Sequence, residues 1–193
     1  MERTVYGVLS RVAAIVLVVV GVVAIIGGTY ANGYVKNQLS SERITMPAGA
    51  ALDALKNDGA KAALSKYAGT PLDSGPKAQA FANHYILVHM NASSNGKTYN
   101  EISGQYTQLS ATDKASPDGV ALGNLRQTLF MGDTLRGMLL TAYAWWLVGT
   151  IALWAGIALV VVGVVLAILG WGPLRSGKST GAHSTEGPAA KAA

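Results

Sequence analysis

Cysteine is absent from the 193 residues, so no disulfide framework can exist and any fold must hold by packing alone. Charge is scarce too. Only 13% of residues are Asp, Glu, Lys or Arg, about half the share of a soluble globular domain, and a single water-soluble globule is thereby disfavoured. Two stretches lack charge altogether, 17 residues over 12–28 and 35 residues over 138–172. An ionisable group inside such a stretch would mark a proton relay or an ion-coupling site; with none there, a pump or ion-coupled transporter is disfavoured. The net charge of +5 is spread along the chain rather than gathered into a patch, so no nucleic-acid partner is expected.

What is present is a layout. The first apolar stretch covers about 26 Å as a helix, close to a hydrocarbon core once Thr29 and Tyr30 extend it, and the second is long enough to cross fully and project further. Tyr6 and Tyr30 bracket the first, while Tyr143, Trp145, Trp146 and Trp171 stand near the ends of the second, as interfacial aromatics do. The first stretch exceeds the apolar core of a cleavable leader and reads as a retained anchor, although Thr29-Tyr30-Ala31 is a passable cleavage exit. A loop of about 100 residues is translocated largely regardless of its charge, so the short basic termini, with Arg3, Arg11, Arg175, Lys178 and Lys191, set the orientation. The expectation is an all-α protein of the plasma membrane, an antiparallel two-helix transmembrane hairpin with a small, mostly helical extracytoplasmic domain. Its parts are a cytoplasmic N-terminus over 1–11, spans over 12–30 and 138–172, an outer domain over 31–137, and a disordered cytoplasmic tail over 173–193.

Small residues recur every seven positions in both stretches: Gly7, Ala14, Gly21 and Gly28 in the first, Gly149, Gly156, Gly163 and Gly170 in the second. Glycine lowers helix propensity and offers lipid no side chain, so this spacing reads as a seam where another backbone comes close. A strict seven also implies a left-handed crossing. The two stretches are the natural partners, with Gly28 near Gly149 and Ala14 nearer Gly163 or Gly170; a foreign helix or a second copy would use the same pattern.

The middle segment reads as short helices separated by proline, glycine and asparagine. Weak alanine-rich helices are expected over 50–57 and 60–67, and a better one over 77–91, opened by Ser74-Gly75-Pro76 and closed by Ser93-Ser94-Asn95-Gly96. Thr98 and Glu101 have capping-box spacing for a helix running to Leu109. Ser116-Pro117 opens another, which leads toward the second span with a break or kink near Gly132-Asp133-Thr134. Large apolar residues are sparse, so this segment is expected to lean on the ends of the spans or on a partner.

Two features imitate chemistry. The stretch 172–179 matches G-x-x-x-x-G-K-[ST], but a phosphate loop needs a strand before it and a helix after it, so no nucleotide is expected. His84 and His89, with Glu101 soon after, have the residue types of an iron site, yet five residues on an α-helix put the two rings about 140° apart. They read as core or interface histidines, and neither metal nor cofactor is expected.

Glu42 and Ile44 after the first span, His84, Gly96-Lys97-Thr98-Tyr99-Asn100-Glu101, Leu125-Arg126 and Leu129-Phe130 together carry a resemblance. The chain resembles a group of small actinobacterial two-span membrane proteins often labelled aromatic ring-opening dioxygenases, a label for which these residues supply no convergent iron triad. The resemblance implies a membrane hairpin with an outer loop, and His84, Lys97, Tyr99, Glu101 and Arg126 are the candidate partner surface. The expected function is a non-enzymatic accessory or scaffold subunit, with the bilayer and a membrane protein or a second copy as partners. The alternatives are a membrane-anchored metal-dependent enzyme using His84 and Glu101, and a self-assembling envelope protein.

Overall fold

The computed structural model describes the backbone of residues 2–171 and the side chains of residues 5–171. The expected tail and the phosphate-loop look-alike lie outside the described residues. Among those described the chain is helical: α1 (Glu2–Ser41), α2 (Ala50–Asp53), α3 (Asp58–Ser65), α4 (Gly75–Phe81), a π-helical turn (Ala82–Ile86), α5 (Leu87–Ser94), α6 (Tyr99–Gln108), α7 (Ala111–Ala115) and α8 (Pro117–Trp171). Two of these, α1 from Val5 onward and α8, are long and apolar enough to cross a membrane, with mean hydropathy of 2.8 and 2.9 in their most apolar windows. The described residues divide into two compact units, 2–22 with 156–171, and 23–155.

In the first unit the early part of α1 lies along the late part of α8. Ala14, Gly21, Gly156, Gly163 and Gly170 are buried, and a β-carbon added to Gly21 would stand 2.7 Å from the carbonyl oxygen of Gly156. One added to Gly163 would stand 3.0 Å from that of Ala14. Between these contacts the large side chains Val12, Val16, Val19, Val161 and Ile168 point outward and are exposed. Such close approach of backbones lets dispersion contribute to holding the interface. Two polar contacts mark its end: the Ser10 hydroxyl donates to the Leu166 carbonyl at 3.0 Å, and Arg11 Nε donates to the Gly170 carbonyl at 3.0 Å. The Arg11 guanidinium also lies 5.5 Å from the centre of the Trp171 ring, so a residue read from sequence as a topology signal is also a contact.

In the second unit Gly28 lies against Gly149 and Leu153, where a β-carbon would collide with backbone. One turn on, Asn32 Nδ2 donates to the Thr150 hydroxyl at 3.2 Å, while the Asn32 amide oxygen is buried without a partner. Helix α1 does not stop at Tyr30. It continues to Ser41, and its Val35 and Leu39 enter a core with Met46, Leu64, Leu72, Ile102 and Leu129. The boundaries read at 31 and 138 therefore fall inside helices, because the end of an apolar run is not the end of a helix. Arg43 takes a left-handed conformation (φ 52°) after α1. The chain then pairs briefly with residues 69–72, Met46 N donating to the Thr70 carbonyl and Leu72 N to the Ile44 carbonyl, each at 2.9 Å.

The smaller helices follow their caps. Asn57 accepts from Ala60 N at the start of α3, Thr98 and Glu101 form a reciprocal capping box on α6, and Asn95 ends α5 in the left-handed region at φ 53°. Three expectations need correction, and one helix was not anticipated. The helix expected over 50–57 ends at Asp53. The helix expected over 77–91 runs from Gly75 to Ser94 through the π-helical turn at Ala82–Ile86, an insertion that leaves no composition signal. Helix α7, capped by the Ser110 hydroxyl on Asp113 N, had no apolar pattern to reveal it. Helix α8 passes Gly132-Asp133-Thr134 without interruption; Gly132 instead makes room for Met90, whose sulfur would lie 2.6 Å from a β-carbon there.

Candidate functional site

Two concave surfaces on the second unit stand out. The larger is an open groove of about 470 Å³ between α1 and α8, lined by Tyr30, Tyr34, Gln38, Met138, Ala142 and Trp145 among others. Helical spacing explains its lining: Tyr30, Tyr34 and Gln38 are four residues apart, as are Met138 and Ala142, so each set stands on one face. Tyr30 and Tyr34 stack at 6.4 Å between ring centres, and Trp145 is 61% exposed. Neighbouring Trp146 turns the other way, against Gly75 of α4, where a β-carbon would lie 2.5 Å from the indole. Two adjacent tryptophans read alike as interfacial anchors thus have different surroundings, one packed on α4 and one facing the groove.

The smaller concavity, of about 220 Å³, is lined by Tyr99, Arg126, Gln127 and Phe130. Helix α6 approaches α8 at Gly123, where a β-carbon would meet the Tyr106 ring at 3.0 Å. That approach brings Arg126 between two rings, with its guanidinium 5.9 Å from the centre of Tyr99 and 5.5 Å from that of Tyr106. Arg126 Nε donates to the Ser103 hydroxyl at 2.9 Å, and a terminal nitrogen reaches the Tyr99 hydroxyl at 3.5 Å. Phe130 lies 5.8 Å from Tyr99.

The residues expected to form one partner surface make different local contacts. Tyr99 and Arg126 come together. Lys97 reaches the Gln105 side chain at 3.4 Å, and Glu101 accepts from both Thr98 N and the Thr98 hydroxyl, at 2.7 and 2.8 Å. These two bonds hold the Glu101 carboxyl below its ordinary range. His84 stands half-buried on the π-helical turn, and His89 Nδ1 is 2.8 Å from the Tyr85 carbonyl with its ring 4.4 Å from the Tyr85 ring. No group of three or more potential metal ligands gathers among the described residues. Of the small residues, Ala14, Gly21, Gly28, Gly149, Gly156, Gly163 and Gly170 face a partner stretch within their own unit, Gly170 meeting Ser10 and Arg11; Gly7 has no described neighbour within 4 Å of a β-carbon.

Sequence reasoning overlooked Asn32, Ser103 and Tyr106. Asn32 could have been found as the polar residue four after Gly28 on the same face, whereas Ser103 and Tyr106 acquire their part only when α6 docks on α8. No known family profile matches the chain, and no curated protein or solved structure is significantly similar to it.

Proposed function

We propose that the chain is a two-span protein of the plasma membrane with both termini cytoplasmic and residues 31–137 outside, serving as a non-enzymatic accessory or scaffold subunit of a larger membrane complex. Antiparallel packing of the spans as a hairpin is supported by the order of contacts in the first unit, where Ser10 meets Leu166, Ala14 meets Gly163 and Gly21 meets Gly156. Kinship with the actinobacterial two-span group belongs to the same proposal.

The observation that carries the reading is the apolar groove lined by Tyr30, Tyr34, Met138 and Trp145. The glycine seam is occupied by the chain's own helices, so a partner helix must use another face. A concave, aromatic and methionine-lined strip beside the span is the kind of surface that anchors one. Of the candidate acid–base groups His84 and Glu101, the second is engaged locally by Thr98, which favours a binding role over catalysis.

The test is photo-crosslinking in native membranes from position 34 or 145, with position 161 on the first unit as control. A single heterologous adduct is expected from the two groove positions and not from 161, and Ala142→Trp, which fills the groove, should remove it while leaving the fold intact. Adducts only to lipid, or a ladder at multiples of the chain's own mass, would overturn the accessory reading, the ladder in favour of self-assembly.

A further inference from the structure

Among the described residues Arg126 has no acidic partner within ion-pair distance. Its guanidinium is held by neutral groups, the Ser103 hydroxyl and the Tyr99 hydroxyl, and Lys114 places a second cation 5.5 Å from the centre of the Tyr106 ring. Of the carboxylates on the two helices before α8, Glu101 on α6 is engaged by Thr98 and Asp113 on α7 by Ser110. Among the described residues the ion pairs are Lys61–Asp53 and Lys77–Asp73, both far along the chain from this cleft. Arginine carries five N–H donors in a rigid planar fork, and two are used here. The fork is oriented before any ligand arrives, so little side-chain freedom remains to be lost on binding.

The surroundings select the ligand. A planar carboxylate matches the remaining edge of the fork in two parallel hydrogen bonds, the Gln127 side chain lines the same cleft, and Phe130, 52% exposed, offers an apolar wall to whatever bears the acid. A phospholipid headgroup does not fit the position. Arg126 precedes Met138, where the proposed span begins, by twelve residues on the uninterrupted α8, about 18 Å of helix, so on the membrane reading it stands beyond the headgroup layer.

We propose that the Tyr99–Arg126–Phe130 cleft is a receptor for a carboxylate borne next to an apolar group, the chemistry of an acidic peptide segment presented on the outer side of the membrane. The site is separate from the groove at Tyr34 and Trp145 and stands or falls without it.

The experiment uses the full chain in nanodiscs of zwitterionic lipid, with the Arg126 Nε–H resonance as reporter and N-acetylphenylalanine as probe. N-acetylphenylalaninamide and inorganic phosphate are the controls. Saturable movement with the carboxylate and none with the amide or phosphate is expected, and added salt should weaken it. Arg126→Lys, followed by the probe's own saturation-transfer signal, should lose about tenfold in affinity because a point charge cannot reproduce the fork. Phe130→Ala, at an exposed position that leaves the helix intact, should weaken binding severalfold and guards against misreading an arginine variant that fails to fold. Absence of saturable binding, equal binding of the amide or of phosphate, or affinity unchanged in both variants would overturn the proposal.

Discussion

At the scale of single residues, two carboxylates tie local structure to pH. Glu101 is held below its ordinary range by hydrogen bonds from Thr98, and Asp73 by its hydrogen bond and ion pair with Lys77. A carboxyl whose folded pKa is depressed contributes stability that is complete above its unfolded value and is lost as pH falls through the folded one. Glu101→Gln is therefore expected to expose α6 amides to faster hydrogen exchange at neutral pH, with the difference from the parent protein closing in acid. A difference independent of pH would show that the carboxylate's charge takes no part in the cap. The capping box was legible in sequence because both partners sit within three residues of each other. The setting of Arg126 was not, since Ser103 and Tyr106 reach it only across a tertiary contact.

At the scale of helices, two adjacent glycines make opposite predictions. Gly28 lies against the backbone of Gly149 and Leu153, whereas a β-carbon on Gly27 would meet nothing within 4 Å. Gly28→Leu should therefore force α1 from α8 and lower the thermal stability of the detergent-solubilised protein, while Gly27→Leu should leave it unchanged or slightly raised, because leucine favours helix over glycine. Equal effects of the two would remove the seam from any part in packing. The seven-residue spacing made this face readable, since burial follows it at Ala14, Gly21, Gly28 and Val35. The π-helical turn at Ala82–Ile86 and the unbroken passage of α8 through Gly132 were not readable. One depends on where a surplus residue is absorbed, and the other on Met90 filling the space a glycine leaves.

At the scale of the whole molecule, the sidedness of the membrane reading is open to direct measurement because the chain has no cysteine of its own. Lys97→Cys, placed in the turn before α6, is expected to react with a membrane-impermeant maleimide in intact cells; reaction only after lysis would invert the proposed orientation. The division into an apolar pair of stretches and a polar middle was evident from charge alone. How the middle acquires a core was not, for its few large side chains, Met46, Leu64, Leu72 and Ile102, are completed by Val35, Leu39 and Leu129 from the long helices. Those three residues fall within 31–137, and charge and composition did not show that they stand on continuations of the long helices.

The glycine track has one further consequence. Marks repeated every seven residues resemble a ruler with no numerals: sliding one stretch past the other by a heptad, about 10.5 Å, would set glycine against glycine again, and backbone contacts alone would scarcely register the error. The numerals are the polar contacts, Ser10 to Leu166 and Arg11 to Gly170 in one unit and Asn32 to Thr150 in the other. These few hydrogen bonds, modest as energies, tell the smooth track where to stop.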